Sequence, residues 1–374
     1  MEVQPRQRVA AIDMLRGLAV IGMILVAYAG DWDHRFRVLT HADWQGFALA
    51  DMIFPSFLFC VGAAMPHSLL KRAGDRPGAE VLAYLARRSA ALFLLGLALN
   101  LLPSFDFAHV RLMGILQRIG ICYLAAGALA MALGRRTADG FQLPLRSVLL
   151  AAAAVAAAYG ALLLAWDAPG CGRACFDSVH SLPAVIDRAA LGINHLWPYG
   201  LTNGQVTYEP EGLLSTVGAL VNVLAGLAGG LVLHRGGDAW RPLALAAVVL
   251  LAAGFALNPL LPVVKKIWTP SFALLSSGFS LLALVLLRRA TSGASIVLAF
   301  GANATLAFVA ISLLDCVLQL PLNAGQSWHD SLAHGLGGLI ADARVASVTY
   351  SAGLVVVMGT LLLALYRKKL FLRL

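Results

Sequence analysis

His41 and Asp51 are the side chains of this sequence best suited to chemistry. They bracket the run His41-Ala-Asp-Trp-Gln-Gly-Phe-Ala-Leu-Ala-Asp51, and the apolar run Met-Ile-Phe-Pro-Ser-Phe-Leu-Phe follows at once. A neutral imidazole near pH 7 takes up a proton readily and is also a nucleophile. Asp51, at the start of the apolar run, has two readings: it orients the imidazole, or it pairs with Arg111. Asp43 reads as loop surface. The plainer reading of His41 is an interfacial histidine satisfied by its neighbours. Lipid offers polar groups no hydrogen bonds, so a polar cluster at the mouth of an apolar helix needs partners or a function.

Other polar groups lie in or beside apolar runs, each with two readings. Asp13 and Arg16 share a helix face, either as a boundary ion pair or with Arg16 turned to a phosphate, which guanidinium matches bidentately. Gln117 and Arg118 sit inside Gly-Ile-Leu-Gln-Arg-Ile-Gly, where an arginine must be paired or must line a polar cavity. Glu209 and Glu211 either cap the next helix or, through Arg111, tie the walls of a site together. Lys265 and Lys266, near Trp268 and Ser271, either snorkel to the interface or attract an anion. Asn303 either bridges helices or offers its amide to a ligand. No histidine or cysteine spacing makes a convincing metal site. Cys171 and Cys175 are either a disulfide or a free pair; Cys60, Cys122 and Cys316 read as packing residues.

The elements that must position these residues are membrane helices. Of the 374 residues, 60% are hydrophobic and 13% charged, against roughly 25% charged in soluble domains; mean hydropathy is +0.80. Apolar runs of spanning length give an all-α polytopic fold with about ten transmembrane helices. They fall at 12–29, 48–69, 87–103, 111–133, 147–166, 212–233, 243–262, 271–287, 294–319 and 346–366, forming one transmembrane domain over 1–374. The 28 Lys and Arg residues divide as 19 on the side of the termini, 8 opposite, and Arg118 within a span. The positive-inside rule then puts both termini in the cytoplasm and His41 outside it. The net charge of +9 is this topology signal and not the footprint of nucleic-acid binding, which would need interleaved aromatic residues. The first apolar segment lacks a small-residue cleavage site and reads as a retained span. The stretches 167–211 and 320–345 are too long for plain turns and are expected to cap the external face.

Six motifs in order carry a resemblance. They are Arg8-Val-Ala-Ala-Ile-Asp13-Met-Leu-Arg16-Gly-Leu, then His41-Ala-Asp-Trp-Gln-Gly with Leu-Ala-Asp51-Met-Ile-Phe-Pro55, and then Arg111-Leu-Met-Gly-Ile-Leu-Gln-Arg118. Glu209-Pro-Glu211-Gly-Leu-Leu-Ser-Thr, Lys266-Ile-Trp268-Thr-Pro-Ser271 and Phe300-Gly-Ala-Asn303-Ala complete the set. Together they resemble the heparan-α-glucosaminide N-acetyltransferase family and its bacterial relatives. The resemblance implies a membrane-bound, acyl-CoA-dependent N-acetyltransferase. It would move an acetyl group from cytoplasmic acetyl-CoA to a glucosamine-type acceptor outside, with no metal. It assigns His41 the role of general base or acetyl carrier, with Asp51 beside it. Arg16, Gln117, Arg118, Lys266, Trp268, Ser271 and Asn303 would serve the coenzyme, and Tyr28, Trp44, Arg111 and Glu211 would support the acceptor site. The implied setting is a bacterial inner membrane with the histidine toward the periplasm. The partners are the lipid bilayer, an amino-sugar or glycan and a second copy as a candidate homodimer, and no nucleic acid. One departure stands out: the family's Val-Asn near the end of the first span is Val26-Ala27-Tyr28 here, with Asp31 following. The rival readings are an acyltransferase for another envelope polysaccharide or small amine, a non-catalytic acyl-CoA-binding protein, and a secondary transporter. A transporter should show paired broken helices in related halves.

Overall fold

A computed structural model describes residues 5–138, 140–236, 238–289, 296–323 and 325–371. In chain order the helices are α1 (Pro5–Ala27), α2 (Ile53–Ala64), α3 (Pro66–Asp75), α4 (Gly78–Leu101), α5 (Ile115–Leu133), α6 (Leu145–Ala165) and α7 (Leu182–Leu191). They continue with α8 (Ser215–Arg235), α9 (Trp240–Leu257), α10 (Pro270–Leu286), α11 (Ile296–Ala302), α12 (Ala304–Leu318), α13 (Trp328–Leu339) and α14 (Ala343–Arg367). Among the described residues the strands form four short antiparallel hairpins; the first joins β1 (Arg135–Thr137) to β2 (Gly140–Gln142). Among the described residues nine helices are long and apolar enough to cross a membrane, and the bent pair α11–α12 makes a tenth if counted as one span. The chain is an all-α integral membrane protein.

The structure redraws several expected spans. The third starts at Gly78 and not at 87, so Arg87 and Arg88 lie within α4. Arg88 stays at the helix surface by laying its guanidinium over the Tyr123 ring, 5.0 Å from the centroid. The ninth, expected as one run over 294–319, bends by 95° at Asn303; residues 294 and 295 lie outside the described residues. Asn303 closes α11 by donating its N–H to Ala299 and opens α12 by accepting from Ala307. The stretch 167–211 holds two hairpins and α7, and 320–345 holds a hairpin and α13.

Packing groups the chain into two compact units. The first comprises 43–47 and 58–286. Its helices α2 and α8 meet backbone to backbone. A Cβ at Gly62 would sit 1.9 Å from the Val223 carbonyl oxygen, and one at Gly226 would sit 2.0 Å from that of Phe59. Small residues four apart, Gly226 and Gly230, permit this approach, the usual device of membrane helices. One buried amide inside the unit is satisfied in place. Asn222 accepts from Trp268 Nε1 at 2.8 Å, and its amide nitrogen lies 2.9 Å from the hydroxyls of Ser276 and Ser277.

The second unit comprises, among the described residues, 5–42, 48–57 and those from 287 to 371. Here α1 crosses α11 equally closely: a Cβ on Gly17 would strike the Val297 carbonyl, and one on Gly301 the Asp13 carbonyl. Its core joins Val20 and Ile24 of α1 to Phe300, Ile311, Tyr350, Leu354 and Met358.

Candidate functional site

His41 and Asp51 belong to the second unit, and they meet. His41 Nδ1 lies 2.8 Å from Asp51 Oδ1. The backbone N–H groups of Ala42 and Ala48 donate to Asp51 Oδ2 at 3.1 and 2.8 Å. The local sequence explains the geometry. Residues 41–48 form an irregular loop, and a 3₁₀ turn over Leu49–Met52 leads into α2. Asp51 stands third in that turn, where a carboxylate reaches back to the N–H preceding the helix. The loop therefore folds over the acid, and His41 arrives at its remaining oxygen. Three converging donors suit an ionised, acceptor-only carboxylate. The network accordingly assigns the Nδ1 proton to the contact with Asp51, which leaves a lone pair on Nε2. The Asp51 side chain is 1% exposed and that of His41 43%, so the orienting group is buried while the imidazole faces outward. A histidine held in this way can take a proton from a nucleophile or attack an acyl carbon itself.

Elsewhere in the second unit the other sequence candidates are engaged within the protein. Arg16 donates from Nη1 to Asp13 Oδ1 and to the Gly301 carbonyl, each at 3.1 Å. Asn303 Nδ2 donates to the Leu370 carbonyl at 3.4 Å. The Tyr28 hydroxyl lies 3.4 Å from Ser312 Oγ. Asp31 accepts from the backbone of Asp33 and His34 and contacts the His34 ring. The His34 contact and those backbone donors hold its carboxyl below the ordinary carboxylate range.

The first unit carries a separate charge cluster. Arg111 donates from Nε to Glu209 at 2.9 Å and from Nη2 to both Glu209 and Glu211. Burial opposes the Arg111 charge, but the two carboxylates outweigh it and raise the pKa. Burial raises Glu209, with Arg111 opposing. Burial would also raise Glu211, yet Arg111, Arg118 and Lys265 together pull it below its ordinary value. Arg118 is fully buried. It donates to Thr216 and Ser215 and lies 4.7 Å over the ring of Trp268. Its Nη1 and the Gln117 Nε2 have no hydrogen-bond partner among the described residues. Trp268 is buried with φ of +51°, a left-handed backbone rare for a bulky residue. Ser271 closes the loop before α10 by donating to the Pro262 carbonyl at 3.1 Å. Lys266 donates to the Asp43 carbonyl and stands over the rings of Trp44 and Tyr208. Trp44 Nε1 donates to the Phe176 carbonyl at 2.6 Å.

Sequence reasoning missed Asp187, a fully buried carboxyl on α7. Its Oδ1 accepts from the Leu213 N–H at 2.8 Å, while Oδ2 has no partner among the described residues. Burial pushes it up to about 7. The only sequence signal is an acid in the apolar run Leu-Pro-Ala-Val-Ile-Asp. Asn222 was legible in principle, as a lone amide in the apolar run Val-Asn-Val-Leu-Ala. Cys171 and Cys175 form a disulfide. Asp177 and His180 lie close to them in a metal-like grouping, but the two sulfurs are bonded to each other and are not metal donors.

Helices of spanning length define a polytopic membrane protein, and in it a buried carboxylate holds a partly exposed histidine. The family profile for the heparan-alpha-glucosaminide N-acetyltransferase catalytic region matches residues 8–208, and the chain belongs to that family. The matched stretch contains Arg16, His41, Asp51, Arg111, Gln117 and Arg118 and ends just before Glu209. Two relatives are named heparan-alpha-glucosaminide N-acetyltransferase. That of Mus musculus is 26% identical over 324 residues, covering 75% of this chain and 49% of the relative. That of Homo sapiens is also 26% identical over 324 residues, covering 75% of this chain and 48% of the relative. The chain spans about half the length of these curated relatives.

Proposed function

We propose that this protein is a transmembrane N-acetyltransferase. It takes the acetyl group of cytoplasmic acetyl-CoA and passes it to a glucosamine-type amine on the opposite, periplasmic face of a bacterial inner membrane. The observation that carries the reading is the His41–Asp51 pair, in a chain whose family is named for this transfer. A thioester is already activated, so the acceptor amine needs chiefly alignment and loss of a proton. His41 Nε2 accepts that proton as nitrogen attacks the acetyl carbon. The C–N bond forms, the C–S bond breaks, and the thiolate leaves to be protonated. In the two-step form Nε2 attacks the thioester carbon first and the C–S bond breaks, so the thiolate leaves and an acetyl-imidazole remains; the amine then attacks that acetyl carbon, the C–Nε2 bond breaks, and the released imidazole takes the amine's proton. Asp51 is a positioning residue in both forms: it holds the His41 ring and the loop backbone and acts through the imidazole. General-base help of this kind is worth roughly 10²–10⁴-fold, and alignment supplies much of the remainder.

The experiment is turnover by the purified full chain in detergent, with acetyl-CoA and glucosamine and detection of N-acetylglucosamine by mass. Formation of that product supports the reading; none, from folded protein with a range of amino sugars, overturns it. Labelled acetyl-CoA without acceptor separates the two chemical forms, since label retained on His41 marks the two-step route. One observation favours a transporter, the sharp break between α11 and α12. A transporter would carry a matching break in a related half, and the described residues hold a single bent pair.

A further inference from the structure

The first unit contains a cavity whose lining includes neither His41 nor Asp51. Helix α8 is 21 residues long, so its ends lie about 30 Å apart. Glu211 and Arg118 lie at its Ser215 end. At its Arg235 end a cavity of about 720 Å³ opens between α3, the β1–β2 hairpin and the last turn of α8. That volume falls within the roughly 300–1,000 Å³ of small-molecule sites. Three elements contribute cations to it: Lys71 from α3, Arg135 from β1, and Arg235 from α8. The rings of His67 and His234 line it as well, in edge-to-face contact at 5.4 Å. Against these stands one lining acid, Asp75. Part of this charge has a local role, because cations in the last turn of α8 suit the helix dipole. The dipole does not explain Lys71 or Arg135, which reach the same cavity from other elements. Among the described residues none of Lys71, Arg135 and Arg235 forms an ion pair. Part of the lining is apolar: Phe141, Leu143 and Leu231 contribute to it, and the two leucines are buried.

Convergent cations over an apolar lining call for an anion attached to an apolar or planar body. Guanidinium and ammonium together match phosphate oxygens, the first bidentately and the second as a point charge. We infer that this cavity binds a phosphate ester, held by Lys71, Arg135 and Arg235 with its apolar portion against Phe141, Leu143 and Leu231. Two sources share that chemistry. One is the phosphorylated nucleotide end of coenzyme A, and this source rests on the acetyltransferase reading. The other is the headgroup of an anionic phospholipid, which does not.

The test uses the full chain in phosphatidylcholine nanodiscs, with two probes. Adenosine 3′,5′-bisphosphate is titrated calorimetrically, and phosphatidylglycerol retained by the protein is counted by native mass spectrometry. The variants are Lys71→Gln/Arg235→Gln and, changing neither helix, Arg135→Gln. Arg241→Gln, outside the cavity and almost fully exposed, is the control. The expected result is at least ten-fold weaker binding of the bisphosphate in both cavity variants, with the control unchanged. Loss of retained phosphatidylglycerol in the same variants also supports the site and assigns it to lipid. Wild-type protein that binds neither probe overturns the inference, as does binding that the cavity substitutions leave unchanged. Neither readout needs turnover. Variant-sensitive binding by an inactive wild-type protein would keep the site and end the proposed activity. Normal turnover with variant-insensitive binding would do the reverse.

Discussion

Asp51 keeps its place through three donors, so removing its charge tests the orientation of His41 apart from the base itself. Asp51→Asn should leave the fold intact and lower kcat by roughly 10²–10⁴-fold. KM for acetyl-CoA should change little, and the acidic limb of the kcat–pH profile should shift because the imidazole loses its oriented partner. An unchanged profile with reduced stability would reduce Asp51 to a loop cap. Asp187 gives a second prediction. Its folded pKa of about 7 lies above its ordinary 3.8, so between those values the folded protein holds the extra proton. Stability should therefore fall as pH rises through roughly 4 to 7, by on the order of a few kcal/mol. Melting temperatures across that range would show the slope, and Asp187→Asn should flatten it; the same slope in the variant would contradict the assignment. These two residues also mark how far a sequence can be read. The type and position of His41 were legible, whereas Asp51 had two candidate partners. The choice was hidden because residues 41–48 have no periodicity, and only the turn chemistry at Ala48 and Asp51 folds them back. Arg16 had an ion-pair and a phosphate reading, and it meets Asp13 and the Gly301 carbonyl; the second contact depends on a helix 285 residues away.

The helices themselves were legible because span length and apolarity are local properties. Their breaks were less so. Asn303 read as a polar residue at the start of a span, and it is the hinge between α11 and α12. An asparagine within an apolar run does not announce a 95° turn, which depends on what packs around it. Close helix crossings were hidden for a similar reason: nothing local marks Gly62, Gly226, Gly17 and Gly301 as contact points, because the backbones they meet belong to other helices. Gly226→Leu should therefore act strongly. Its side chain would enter the backbone of α2 beside Phe59, and overpacking alone costs about 1–3 kcal/mol. The detergent-solubilised variant should melt at a clearly lower temperature. Gly353→Leu, where an added Cβ meets nothing within 4 Å, should not.

For the molecule as a whole, the basic asymmetry of 19 against 8 predicts which side each loop faces. A cysteine replacing Val38, three residues before His41 and exposed, should label from outside intact cells, and one replacing Arg288 should label only after permeabilisation. The reverse pattern would exchange the donor and acceptor sides. The central claim is acetyl transfer across a membrane that depends on His41. Its most direct measurement uses proteoliposomes with acetyl-CoA confined to the side of the termini and glucosamine confined to the side of His41. Wild-type protein should form N-acetylglucosamine on the glucosamine side. His41→Ala should lose nearly all of that product while keeping its melting temperature and its acetyl-CoA binding. Robust transfer by well-folded His41→Ala protein would contradict the account.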